Sequence, residues 1–214
     1  LSSFDGSITL WDINAGRWKS HLKLTRPAEV TWVAVQFSPD GRWLASRSAM
    51  LACRIWDAAE GKPVDLPEAA PVLAISNDWK HALTMEGIVD FANPARPKLR
   101  HRCPAGAAVF SHDGRRVAVS SEDGQLRIFD VATGTLTARP CKQGRMSLCM
   151  AFTPDDSLLL AAGINHTAAN SGPVDELTLV DPVTGLLCGF PRKGGSPAFD
   201  LLITAGGGFA VGCG

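Results

Sequence analysis

Asp12, Asp57, Asp130 and Asp181 are the residues whose type and spacing first suggest chemistry. Carboxylates that converge in pairs can pass protons or hold a metal ion. These four recur at one point of a repeated phrase, in "TLWDINAG", "CRIWDAAEG", "QLRIFDVATG" and "LTLVDPVTG". Each therefore stands in its own repeat beside its own turn, and turn initiation is the chemistry an aspartate supplies there. His21, His81, His101, His112 and His166 fall at different repeat positions, and no two share a strand face at zinc-ligand spacing. Cys53, Cys103, Cys141, Cys149, Cys188 and Cys213 contain no C-x-x-C pair and read as small apolar side chains in a reducing compartment. Phosphate-loop, H-E-x-x-H and G-x-S-x-G motifs are missing from the sequence. The glycine-rich "AGGGFAVGCG" at 205–214 puts Val211 where a dinucleotide loop needs its third glycine. No catalytic residue, metal ligand or cofactor is expected.

The 214 residues carry 21 Lys plus Arg against 21 Asp plus Glu, and 45% of them are hydrophobic. That length and apolar fraction suit a folded core. Zero net charge makes no field to gather nucleic acid or an anionic membrane, so neither is expected as a partner. No apolar run approaches the roughly 20 residues of a membrane-spanning helix. No signal peptide is visible, and a cytoplasmic location is expected.

The elements that carry these residues follow from the repeat. Anchored on Trp11, Trp56, Phe91, Phe129 and Val180, the phrase recurs at intervals of 45, 35, 38 and 51 residues. A second phrase precedes each later anchor: "FSPDGRWLA", "ISNDWKHAL", "FSHDGRRVA" and "FTPDDSLLL", with a worn copy, "ITAGGGFAV", at 203–211. Ser38-Pro39-Asp40-Gly41 has type I turn chemistry, with glycine free to take the left-handed conformation that closes the hairpin. Apolar runs flank it, so each unit reads as four strands joined by three turns. In the third strand Ile55 and Ile128 point one way and Trp56 and Phe129 the other. A sheet apolar on both faces must be covered on both, and blades stacked around an axis do that. The fold expected is all-β, a β-propeller of four-stranded antiparallel blades, with the large aromatics as packing between blades.

The steps Trp11-Asp12 and Trp56-Asp57, the variant Phe129-Asp130, and the "SPDG" and "TG" turns resemble the WD-repeat β-propeller family. The repeats are degenerate: the step reads Phe91-Ala92 in one unit and Val180-Asp181 in another. Asp5 and Asp123 occupy the family's turn-aspartate position, but the Gly-His dipeptide that would partner them is missing. They are expected to act as local turn formers only. About four full blades (26–66, 67–100, 101–140 and 141–191) and two partial ones (1–25 and 192–214) are expected, an incomplete ring within a longer protein. The polar stretch "GINHTAANSGPVDE" at 163–176 is expected to replace a short turn with a surface loop.

The resemblance implies a non-catalytic protein-interaction scaffold, a region of a larger, signalling protein such as a kinase fusion, with a bacterial texture. In that family partners dock on the face that gathers the fourth-to-first and second-to-third strand connections. Carried onto this chain, the face holds Arg26, Trp32, Arg47, Arg102, Glu122, Arg145, Asn165 and His166. Arg and Trp are common interface anchors. The alternatives are a propeller enzyme or ligand binder of lactonase or quinoprotein type, and a periplasmic propeller module. The innermost strands "TWVAVQF", "PVLAI", "AAVF" and "SLCMAF" supply almost none of the channel ligands the first would need.

Overall fold

The computed structural model describes residues 7–12, 14–23, 33–48, 51–64, 72–94, 96–104, 106–121, 123–142, 147–165, 174–188, 192–194, 198–203 and 209–213. Among them every regular element is a strand and every pairing is antiparallel. β1 (Ser7–Asp12) pairs β2 (Arg17–Lys23) as a two-stranded sheet. β3 (Val33–Phe37), β4 (Trp43–Ser48), β5 (Leu51–Asp57) and the short β6 (Lys62–Pro63) follow in order. β7 (Val72–Ile75), β8 (His81–Thr84), β9 (Gly87–Asp90) and β10 (Lys98–His101) form the next run. Two separate four-stranded sheets come after. One holds β11 (Ala107–Phe110), β12 (Arg116–Ser120), β13 (Gln125–Asp130) and β14 (Cys141–Lys142). The other holds β15 (Ser147–Phe152), β16 (Leu159–Asn165), β17 (Val174–Val180) and β18 (Arg192–Gly194). β19 (Ala198–Ile203) and β20 (Phe209–Cys213) close the series as a pair.

The runs β3–β6 and β7–β10 join into one eight-stranded sheet through a single strand-paired couple, Cys53 with Val72. β6 pairs only Trp56 and Asp57, so the opposite end of β5 is free to take the start of β7.

The apolar core lies between successive runs of strands. Ile8 and Leu10 pack with Leu44 and Trp56. Ala45, Cys53 and Ile55 pack with Val72, Ala82, Val89 and Phe91. Ala74, Leu83 and Ile88 meet Phe110, Val117 and Phe129. Ala118, Leu126 and Ile128 meet Phe152, Leu159 and Val180. Neighbours in sequence thus bury against opposite sheets, Ile55 forward and Trp56 backward, because strand side chains alternate faces. Burial of one such side chain contributes about 1.5–3 kcal/mol, repeated at every interface. The all-β propeller architecture expected from the repeat is the one observed.

Candidate interaction site

Antiparallel order puts the first-to-second and third-to-fourth turns on one end of the stacked sheets and the other two connections on the opposite end. The first end, the turn face, is built from two repeated devices. Ser38, Ser76, Ser111 and Thr153 each donate a hydroxyl to the aspartate two residues on, at 2.6, 2.7, 2.6 and 2.6 Å. The same hydroxyl accepts the amide five residues on, at 2.8, 3.0, 2.9 and 3.0 Å. Each aspartate in turn accepts the amide two residues beyond it. These bonds favour the charged form. The Ser38 hydroxyl and Arg42 amide lower the pKa of Asp40, and at Asp78 and Asp113 the same kinds of bond outweigh the upward push of partial burial. The Thr153 and Ser157 hydroxyls with the Ser157 amide hold Asp155 at about 2.

The last residue of this turn is left-handed in all four copies: Gly41, Trp79, Gly114 and Asp156, with φ of 69°, 57°, 70° and 55°. The two that are not glycine reach the preceding sheet. Trp79 is buried among Ala45, Cys53 and Ile55, with its ring tilted against Phe91. Asp156 accepts the His112 amide at 2.8 Å and the Asp113 amide at 2.9 Å, and its Oδ1 is 2.9 Å from His112 Nδ1. The sequence signal for both was visible: a bulky or charged residue standing where "SPDG" has glycine.

The second device is an aspartate that opens a five-residue turn. Asp12 accepts the Ala15 amide, Asp57 those of Ala59 and Glu60, Asp130 that of Thr133, and Asp181 those of Val183 and Thr184. The amides of Gly61, Gly134 and Gly185 close the turns onto the carbonyls of Asp57, Asp130 and Asp181, each at 2.8 Å. Two of these turns seat against the outer part of the preceding run. His101 Nε2 lies 2.9 Å from the Ala132 carbonyl, and the Thr137 hydroxyl donates to the Pro182 carbonyl at 3.1 Å. Asp123 does more than form its turn. It accepts the Gln125 amide and also holds the Arg127 guanidinium, which lowers its pKa. That corrects the expectation of a turn former only: an arginine four residues on the same hairpin supplies a cation where no histidine does.

The opposite end is the loop face named from the sequence. Arg102 is exposed, and its backbone packs against Gly87, where an added Cβ would meet Arg102 Cα at 2.8 Å. Arg47 stands on β4 opposite Ala34, and Asn165 on β16 opposite Val174. Arg26, Trp32, Glu122, Arg145 and His166 lie outside the described residues, as does Asp5. The stretch 163–176 is not all loop: Gly163, Ile164 and Asn165 pair with Glu176, Asp175 and Val174, so it lengthens the hairpin. Residues 166–173 lie outside the described ones. Among the described residues no group of three His, Cys, Asp or Glu side chains could hold a metal ion.

The family model described as "WD domain, G-beta repeat" matches residues 18–57 and 99–130. The chain is also 32% identical over 150 residues to the WD repeat-containing protein SL1-17 of Schistosoma mansoni, covering 63% of this chain and 47% of that protein. Segments 18–57 and 99–130 thus match WD repeats. A second relative, periodic tryptophan protein 2 of Arabidopsis thaliana, is 21% identical over 212 residues, covering 83% of this chain and 23% of that protein. The chain thus spans less than half the length of the curated relatives it matches. Among solved structures, the Kuenenia stuttgartiensis hydrazine synthase matches with a TM-score of 0.64 at 15% identity, over 83% of this chain and 54% of that one. At that identity the likeness shows the fold alone.

The strand register relocates one Trp-Asp step of the WD repeat. Trp56 pairs Leu44, Phe129 pairs Val117 and Val180 pairs Leu159. The corresponding pair in the second run is Val89 with Ala82, so the step there is Val89-Asp90 and not Phe91-Ala92. Phe91 instead matches Ala58 and Val131, whose amides reach the carbonyl before the second strand just as the Phe91 amide reaches Lys80. The Phe91 ring supplies the packing mass of this unit from two residues further on. Trp56 is buried and donates from Nε1 to the Ser46 hydroxyl at 2.9 Å, Phe91 and Phe129 are buried, and Trp11 is 54% exposed.

Proposed function

We propose that this chain is a non-catalytic platform for protein partners, one region of a larger cytoplasmic signalling protein, and that the partner docks on the loop face. The observation that carries the reading is the match to WD repeats on an all-β fold whose repeated turns are built by Ser, Thr and Asp side chains. WD-repeat proteins generally act as scaffolds that bind protein partners. Of the residues assigned to the docking face, Arg102 has the clearest support, since it is an exposed cation on a backbone tightly packed against Gly87.

The test is affinity capture by the full-length protein, followed by direct binding of whatever is captured. Arg102→Ala combined with Arg47→Ala is expected to weaken that binding about tenfold or more while leaving the melting temperature unchanged. A metal-dependent hydrolase activity of the purified protein would overturn the reading. So would a captured partner whose affinity ignores the double variant.

A further inference from the structure

The outermost strands share a composition found in no other set. β2, β6, β10, β14 and β18 read RWKSHLK, KP, KLRH, CK and RKG. Each carries a lysine or arginine and none carries an aspartate or glutamate. The first strands VAVQF, VLAI, AAVF, SLCMAF and AFDLLI carry one acid and no base. The chain as a whole is neutral, with 21 charges of each sign. Charge is therefore sorted by position in the sheet, and cations collect on the outside.

β10 is where this sorting meets a usable edge. It is the terminal strand of the eight-stranded sheet, so one row of its backbone groups has no strand partner among the described residues. Lys98, Leu99 and Arg100 are exposed. No described ion pair uses Lys98 or Arg100, and the Arg100 guanidinium meets only the His81 ring, at 2.9 Å. β6 and β14, the described outer strands of the neighbouring runs, are two residues long and offer no comparable edge.

We propose that β10 is a docking edge for an extended acidic polypeptide, which adds as a strand beside it and sets carboxylates against Lys98 and Arg100. Main-chain pairing supplies the affinity of such an addition, and opposite charges across the new pair supply its selectivity. A second copy of this chain is refused, because its own outer strands are cationic and like charges would face each other. Nucleic acid cannot satisfy a strand's row of amides and carbonyls, and a neutral chain has no long-range field to gather it. The bulge between Leu99 and His101 shortens the edge, so an affinity on the order of tens of micromolar is expected. The edge is separate from the loop face, so either surface can fail while the other stands.

The experiment uses the full-length protein and a fluorescein-labelled peptide of about ten residues alternating glutamate and valine. Anisotropy is expected to show binding that weakens with salt and falls roughly three- to tenfold in Lys98→Ser/Arg100→Ser, with slowed amide exchange along 98–100. Lys98→Arg/Arg100→Lys keeps the charges and is expected to keep the affinity. An alternating lysine–valine peptide is expected not to bind. Equal binding of an acidic peptide interrupted by prolines would overturn the proposal, since proline removes the strand pairing. Preferred binding of an RNA oligonucleotide of similar length, lost in the serine variant, would overturn it too. If the serine variant aggregates while the wild type binds no peptide, the cations only guard the edge and the proposal fails.

Discussion

The carboxylate of Asp156 closes over the turn of the preceding sheet at His112, with Oδ1 2.9 Å from the imidazole Nδ1 and 2.8 Å from the His112 amide. Its second oxygen takes the Asp113 amide at 2.9 Å. The Asp156 side chain is only 12% exposed. One carboxylate thus satisfies two amides of another sheet, from a backbone position with φ of 55°.

Asp156→Ala and Asp156→Gly separate the clamp from the backbone. Both lose the contacts to His112 and Asp113, at about 1–3 kcal/mol for bonds to a charged acceptor. Only glycine relieves the left-handed φ, by about 1 kcal/mol. Denaturant unfolding of the full-length protein is expected to rank wild type above Asp156→Gly, and that above Asp156→Ala. Asp156→Gly more stable than wild type, with Asp156→Ala equal to it, would mean the clamp contributes nothing.

Trp79→Gly restores the residue that "SPDG" turns carry at this place. It is nevertheless expected to destabilise by about 2–4 kcal/mol. The lost indole leaves a cavity beside Phe91 and Ile55, worth about 3–5 kcal/mol, against about 1 kcal/mol of relieved backbone strain. The melting temperature in calorimetry checks it, and a rise in the variant would show that strain dominates.

Gly134 and Gly41 share a left-handed φ of 69° but not their surroundings. A Cβ at Gly41 meets nothing within 4 Å, whereas one at Gly134 runs into the His101 ring. Gly41→Ala is expected to cost about 1 kcal/mol, and Gly134→Ala about 2–3 kcal/mol. His101→Ala should return part of the second loss in a double-mutant cycle, since it removes the obstructing ring.

Asp155 supplies a pH dependence of known sign. Its folded pKa of about 2 lies below the ordinary 3.8, so its hydrogen bonds from Thr153 and Ser157 stabilise the fold fully above pH ~4. That contribution fades as pH falls from about 4 through 2. Carboxyl NMR titration is expected to place the Asp155 midpoint near 2. In Thr153→Val it should move up toward the ordinary value, with loss of part of the acid sensitivity.

Cys188 is exposed, while Cys53 and Cys141 are buried and burial lifts the Cys103 thiol to about 11. Brief iodoacetamide treatment at pH 8 is expected to label Cys188 well before these three, read by peptide mass spectrometry. Early labelling of Cys103 would contradict its burial between β8–β9 and the following sheet.

What the sequence determined by itself was local: alternation fixes strands, Ser-x-Asp and Asp-x-x-x-Gly fix turns, and recurrence of both fixes the repeat. Each of these signals is complete within about five residues. The stacked architecture was legible for the same reason, since third strands apolar on both faces have few ways to be covered. Tertiary structure decided what each unit does to its neighbour. Phe91 and Val89 are two residues apart and face the same way, so only the pairing of Val89 with Ala82 says which one holds the repeat's anchor. Trp79 and Asp156 look like defects in a turn until the preceding sheet is in place beneath them. The edge that β10 leaves open is likewise invisible without register, because it depends on which strands end up side by side.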